Sequence, residues 1–204
     1  MDPLNNLREI AYTSQSEGYR LLLFSSVDQS RPHFARAARA LTKLNRIYSK
    51  DIRPIDEQAR TDLEIARMYW RAADERSLAH FEYALEAYGF GQMMQNPQVK
   101  LRSVYGSAYI RLFLEEFDLA RREAKLAYQL ERQSGMFVLA PLGNLYGELS
   151  FYCDRKDVSG LEKNVDMVHD FIQGNRDTLP QRELLQLLDL QDFFKWRLSH
   201  MAAM

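Results

Sequence analysis

Apolar residues recur at intervals of three and four along almost the whole chain, which is the spacing of one face of an α-helix. The first such run extends from Pro3 to about Ser25, and eight further runs follow it. Glycine and proline are sparse, at nine and six residues, and proline lies between apolar runs rather than inside them. The pattern therefore predicts an all-α protein of about four antiparallel helix hairpins followed by one C-terminal helix.

Local signals predict where several of these helices begin and end. Asn96 followed by Pro97 is typical of a helix start, with Asn96 as the N-cap. Ser30 is predicted to cap the second helix, and Thr178-Leu-Pro-Gln181 has the spacing of a capping box. The predicted helices run approximately over 3–25, 31–49, 54–73, 75–89 or 75–91, 97–115, 118–135, 136–153, 158–173 and 179–201.

Length and composition predict one domain that spans residues 1–204. The hydrophobic fraction is 46%, the charged fraction is 27%, and the net charge is −1, so no overall charge favours nucleic acid or an anionic membrane. Cys153 is the single cysteine, which excludes an internal disulfide. The opening residues do not resemble a signal peptide, and no apolar run reaches the roughly 20 residues of a membrane span. We expect a cytoplasmic protein that does not bind membranes.

The stretch from Tyr105 to Arg132 predicts two amphipathic helices joined by a tight turn near Glu116 to Asp118. Small residues lie where the two backbones must approach: Gly106, Ala120, Ala124 and Ala127. A small-x-x-Tyr pattern recurs at intervals of 40 and 37 residues, in Ala66…Tyr69, Gly106…Tyr109 and Gly143…Tyr146.

Between about Asp51 and Ile172, these features resemble the tetratricopeptide repeat (TPR). The sequence departs from that family in three ways: the usual helix A tryptophan is missing, no proline closes each repeat, and the first helix of each pair is longer. The resemblance implies a right-handed superhelix of stacked hairpins, capped by the last helix. It also implies that a peptide or protein binds on the concave surface lined by the first helix of each hairpin.

The repeat register places a mainly basic set of residues with one tryptophan in this concave groove. Such a set would suit an acidic peptide, through charge-assisted hydrogen bonds. We expect Trp70 to act as the anchor, and reversal of Arg67 and Arg111 to glutamate to abolish binding while helicity is retained. The alternative is that these side chains are ordinary solvated cations and that Trp70 belongs to the core. The predicted groove residues are Arg60, Arg67, Trp70, Arg71, Lys100, Ser103, Ser107, Ile110, Arg111 and Asn144.

A second basic set forms a ridge on the predicted second helix, opposite its apolar face. No acidic residue occurs from Arg31 to Lys50, so these charges have no acidic neighbours along the helix. The ridge is either a docking strip for an acidic partner or simply the solvated face of the helix. Nucleic acid is disfavoured because no aromatic residues interleave the stripe. The members are Arg36, Arg39, Lys43, Arg46 and Lys50.

Candidate chemistry elsewhere is weak. Asp166 and His169 have the Asp-x-x-His spacing of half a metal site, with Glu162 and Asp170 nearby, but no other helix offers matching ligands. Cys153 lacks the neighbours of a catalytic nucleophile and is predicted to be a buried thiol. We therefore expect no cofactor, no metal and no catalytic site.

The predicted function is that of a non-enzymatic protein–protein interaction module, acting as an adaptor or a regulator. The alternatives are a secretion-type chaperone that holds an extended partner, and a helical-bundle enzyme with a metal or haem. Two apolar surfaces have open roles. The Tyr88–Met94 stretch is predicted to be a loop that is either adhesive or tucked between hairpins, and the last helix either caps the array or forms a homodimer.

Overall fold

The computed structural model describes residues 3–48, 54–134, 140–175 and 177–201. Within these residues the chain forms nine α-helices and no strand, which confirms the all-α prediction. Two compact units are present, Met1–Met94 with helices α1 to α4 and Gln95–Met204 with helices α5 to α9. The helices are α1 (Pro3–Phe24), α2 (Val27–Tyr48), α3 (Ile55–Arg71), α4 (Arg76–Gln92), α5 (Pro97–Phe113), α6 (Phe117–Ser134), α7 (Ala140–Asp154), α8 (Val158–Asn175) and α9 (Gln181–Met201).

Helices α1 and α2 approach closely at a glycine. A Cβ atom built on Gly18 would lie 2.9 Å from Cε1 of Phe34, and the Phe34 side chain is completely buried. The ring of Tyr19 meets the ring of Phe34 edge to face at 5.0 Å. Interiors pack at the density of organic crystals, so the absence of a side chain at Gly18 sets the distance between these helices.

Helix α2 begins four residues earlier than predicted, at Val27 rather than Arg31. The hydroxyl of Ser26, not that of Ser30, accepts a hydrogen bond from the Gln29 amide (3.2 Å) and so caps the helix. Ser30 is buried inside the first turns and donates to the Val27 carbonyl (2.7 Å). The prediction ended the break between the two helices beside Pro32, whereas α2 already includes this proline.

Glycine did not end two of the helices as predicted. Most of the Tyr88–Met94 stretch is helical rather than a loop, because α4 continues through Gly89 and Gly91 to Gln92 and only Met93 and Met94 follow it. Helix α8 likewise continues past Gly174 to Asn175. A glycine in a helix costs only about 1 kcal/mol relative to alanine, and burial of Tyr88 and Gly91 offsets that cost.

The two predicted capping sites in the second unit had opposite outcomes. Asn96 caps α5 as predicted, since its side-chain oxygen accepts from the amides of Gln98 (3.0 Å) and Val99 (3.4 Å). Thr178 does not form the predicted capping box, because its hydroxyl donates to the Asn175 carbonyl at the end of α8 (3.1 Å). Helix α9 therefore begins at Gln181, after Pro180.

Three helix–helix turns share one backbone geometry. Ala73, Glu115 and Lys156 have positive φ angles of 55°, 59° and 54° and lie 42 and 41 residues apart. After each of them, the next amide donates at 2.9 Å to the carbonyl five residues earlier, in Asp74→Tyr69, Glu116→Arg111 and Asp157→Tyr152. This is the usual way in which a helix C-terminus satisfies its last carbonyls.

The spacing of these turns corrects the predicted repeat register. The turn after α5 lies at Leu114–Glu116 rather than at Glu116–Asp118, since α6 begins at Phe117. A repeat of 41 residues aligns Tyr105, rather than Tyr109, with Tyr146. The small-x-x-Tyr intervals of 40 and 37 residues therefore did not mark equivalent positions.

Replacement of Lys156 by glycine is expected to raise the free energy of unfolding by about 0.5–1 kcal/mol, because glycine adopts positive φ without a Cβ penalty. Urea denaturation followed by circular dichroism measures the change. Lys163→Gly is the matched control, since Lys163 lies inside α8 and glycine there costs about 1 kcal/mol. A decrease in stability for both variants would contradict the role of the turn.

Helix α9 packs within its own unit, with its backbone closest to α8 and its side chains reaching α5 and the turn that follows α5. The Tyr109 hydroxyl donates to the Gln186 carbonyl (3.2 Å), and the rings of Phe113 and Phe193 lie 4.9 Å apart. Beyond these contacts, Nη1 of Arg197 is 2.6 Å from a carboxylate oxygen of Glu115. The face of α5 that carries Tyr109 is therefore covered by α9.

Candidate functional site

The α3 residues predicted for the groove belong largely to the core of the first unit. Arg67 is completely buried: its guanidinium lies 3.0 Å from the Glu64 carboxylate and donates to the Tyr19 hydroxyl (3.0 Å). Arg71 is also buried, and its guanidinium lies over the rings of Tyr19 (5.6 Å) and Trp70 (4.9 Å). The placement of Arg67 and Arg71 on an accessible surface was wrong, because α1 covers this side of α3.

Arg60 and Trp70 are partly buried on the same helix. Because the Trp70 ring already faces the Arg71 guanidinium, it forms part of an aromatic–arginine stack rather than standing free as an anchor. A glutamine on α1 completes the polar cluster, since Gln15 donates to the Glu64 carboxylate. This network joins α1 to α3 and stabilises the unit.

The α5 residues predicted for the groove are also mostly inaccessible. Ser103, Ser107 and Ile110 are buried, so they do not line an open surface. Arg111 is partly buried between two carboxylates, contacting Glu116 and lying 3.1 Å from Glu123. Lys100 is partly exposed at the first turns of α5. The prediction assumed one open face on α5, whereas α6, α7 and α9 cover it.

The second unit contains two buried ionisable side chains outside the predicted groove, Tyr105 and Cys153. Burial, with a smaller contribution from the neighbouring Glu131 carboxylate, raises the pKa of Tyr105 well above its usual value. Burial likewise raises the pKa of Cys153 to about 12, which agrees with the predicted buried thiol. Both side chains are therefore neutral at physiological pH, as is typical of groups that belong to the core.

The basic ridge on α2 has the predicted orientation over its described part. Arg36, Arg39, Lys43 and Arg46 are exposed, and Lys50 lies outside the described residues. The opposite face of α2 is buried. Arg39 lies near the turn after α3, where a hydrogen bond from Arg76, with a smaller contribution from Arg39, lowers the pKa of Asp74 to about 2. The docking role of the ridge stays a prediction.

An open groove between α6 and α7, called here the α6–α7 groove, contains one of the predicted binding residues. Its floor consists of small residues: a Cβ atom on Gly147 would lie 4.0 Å from the Cβ of Ala124, so the two helices approach closely there. The volume is about 350 Å³. The walls carry Arg121, Lys125 and Tyr128 from α6, and Asn144, Glu148, Phe151 and Tyr152 from α7.

The walls of the α6–α7 groove combine aromatic surface with polar groups. Tyr128 is partly exposed, and the rings of Phe151 and Tyr152 meet edge to face at 5.3 Å. Arg121 is paired with Asp118 at 2.7 Å, whereas the Lys125 side chain is exposed. Asn144 is exposed as well, so its amide is accessible from solvent. The small residues Ala124 and Gly147 were the available sequence signal, but only the fold shows that they face each other.

The described residues hold no cluster of three or more histidine, cysteine or acidic side chains that could bind a metal ion. Glu162, Asp166, His169 and Asp170 are exposed along α8. Among the helices that the structure describes, none is long and apolar enough to cross a membrane.

No protein-family model matches the chain, and no curated protein matches it. Among solved structures, the chain is similar to the crystal structure of a de novo designed helical repeat protein. The sequence identity is 14% and the TM-score is 0.37, over 100% of this chain and 99% of the designed chain. A similarity at this level identifies no family.

Proposed function

We propose that the protein is a non-enzymatic interaction module, an adaptor or a regulator, that holds an extended segment of a partner protein in the α6–α7 groove. The observation that carries this proposal is the groove itself. It is open, has a volume of about 350 Å³, and combines a floor of small residues with walls of aromatic and polar side chains. Sites that bind ligands combine apolar walls with a few placed polar groups.

Four of the wall residues have a role in this binding mode. The Asn144 side chain both donates and accepts hydrogen bonds, which are the two functions that an extended peptide backbone requires. The rings of Tyr128 and Tyr152 offer apolar surface for alternate side chains of the peptide. The exposed Lys125 ammonium attracts a carboxylate, so the preferred segment carries an acidic residue on the α6 side of the groove, away from Glu148 on the α7 wall.

The proposed site differs from the concave surface that the TPR resemblance implied. On α5 that surface is occupied by α9, through Tyr109 and Phe113, so a partner would first have to displace a packed helix. The α6–α7 groove requires no such displacement. A preformed site costs less free energy to occupy than one that must open.

A selection from a random peptide library displayed on phage tests this function with the full chain. We expect the selected peptides to share an acidic residue beside an apolar or aromatic one. Lys125→Glu should weaken binding of a selected peptide about tenfold or more, because it replaces an attraction by a repulsion. Fluorescence anisotropy with the labelled peptide measures the affinity.

Lys163→Glu is the matched control, since Lys163 is an exposed lysine on α8 outside the groove. It should leave the affinity unchanged, and Asn144→Ala should weaken binding without a change of charge. Equal loss of affinity for Lys125→Glu and Lys163→Glu would show a non-specific charge effect. A selection that yields peptides insensitive to both groove substitutions would show that the site is elsewhere.

A further inference from the structure

Helix α4 is apolar on both of its faces. Its inner face buries Phe81, Ala84, Tyr88 and Gly91 in the first unit, where α4 packs on α3. Its outer face and the two residues after it expose five large apolar side chains, to between 49% and 71%: Leu78, Tyr83, Phe90, Met93 and Met94. A soluble protein rarely exposes this many large apolar side chains along one helix, so the outer face is typical of an interaction surface.

From Ser77 onward the charge on this face is negative, and Arg76 at the start of α4 is already paired with Asp74 (2.5 Å). Glu82 and Glu86 are exposed on the same side of α4 as Tyr83 and Phe90. The sequence has no lysine or arginine from Ser77 to Val99. His80 does not offset these acids, because it is directed toward Asp62 (3.0 Å) and stacked on Tyr69.

The face also has a recess and an adaptable end. A Cβ atom on Gly89 would meet nothing within 4 Å, so the backbone is open to close approach at that point. Met93 and Met94 follow at the end of the helix, and methionine side chains adjust readily to the shape of a ligand. Ala79 is also exposed, near the start of α4, and its small side chain allows a partner to approach the backbone there.

We propose that the outer face of α4 binds an amphipathic helix of a partner protein whose apolar stripe is flanked by lysine or arginine. The apolar stripe would cover Tyr83, Phe90 and Met93, and the basic flanks would pair with Glu82 and Glu86. Charge complementarity selects this occupant, because an acidic or neutral helix would leave both carboxylates beside apolar surface without a counter-charge. This second surface is independent of the α6–α7 groove and has the opposite charge preference.

The test uses the full chain and a synthetic 18-residue helical peptide of leucine and lysine with one apolar face, labelled for fluorescence anisotropy. We expect saturable binding with a dissociation constant in the micromolar range. Glu82→Lys combined with Glu86→Lys should weaken it about tenfold or more, since each reversal places like charges together. Phe90→Ser should weaken it at unchanged charge.

The matched control is Glu162→Lys combined with Asp166→Lys, two exposed acids four residues apart on α8, as Glu82 and Glu86 are on α4. The control should bind like the unmodified chain, and Lys125→Glu should also leave this peptide's affinity unchanged. Equal weakening by the α4 and α8 double variants would overturn the proposal, as would absence of saturable binding. Sedimentation velocity would overturn it in favour of self-association if the unmodified chain is a dimer that Phe90→Ser dissociates.

Discussion

Replacement of Arg67 by glutamate is expected to destabilise the protein by about 3–5 kcal/mol or more, because it removes a buried cation and leaves a buried carboxylate in its place. The Arg67 side chain has no exposed surface, and the Glu64 carboxylate lies 3.0 Å away. The variant would place two carboxylates together, beside the hydroxyl of Tyr19. Urea denaturation of the full chain, followed by circular dichroism, measures the shift.

Arg36→Glu is the control, since Arg36 is exposed on the basic ridge and its reversal should change stability by about 0.5 kcal/mol or less. Arg67→Met should fall between the two, because methionine fills the space but leaves the partners of the guanidinium unmatched. If Arg67→Glu unfolds at the same urea concentration as the unmodified chain, the assignment of Arg67 as a buried partner of Glu64 is wrong. The expectation that reversal of Arg67 and Arg111 leaves helicity intact is replaced by the expectation that the Arg67 reversal alone destabilises the fold.

Replacement of Gly18 by alanine is expected to lower the free energy of unfolding, although alanine is the better helix former. The added Cβ would lie 2.9 Å from the buried Phe34 ring, and overpacking of a core usually costs about 1–3 kcal/mol. The ring cannot move away freely, since Phe34 is completely buried and in contact with Tyr19. Thermal or urea denaturation measures the result.

Gly89→Ala, in the same unit, is expected to change the free energy of unfolding in the opposite direction. A Cβ at Gly89 meets nothing within 4 Å, so alanine there should add about 0.5–1 kcal/mol through helix propensity alone. The difference between the two variants isolates the steric cost at Gly18. Equal stabilisation by both substitutions would show that α1 and α2 do not approach at Gly18 as described.

Much of the secondary structure could be predicted from the sequence because the signals are local. Asn96 and Pro97 mark the start of α5 through hydrogen bonds that span only two or three residues. The burial of α2 on one side, with Arg36 and Lys43 on the other, follows from helical periodicity. Wherever a helix end depended on packing instead, as at Gly91 and Thr178, the local signal was misleading.

The binding surface could not be predicted in the same way. Periodicity shows that Arg67 and Ser107 share a face with other residues of their helices, but not whether another helix lies on that face. Burial of Arg67 depends on Tyr19 and Glu64, one of which is 48 residues away. The α6–α7 groove similarly depends on Ala124 and Gly147 facing each other across two helices.

The sequence by itself determined that this chain is helical, where most of its helices lie, and which face of α2 is charged, because each of these depends on interactions between residues three or four positions apart. Only the tertiary structure decided which faces are covered and by what. Arg67 became a core residue when α1 packed over α3, and the face of α5 with Tyr109 closed when α9 packed against it. Those outcomes depend on contacts between residues far apart in the chain, which no local spacing records.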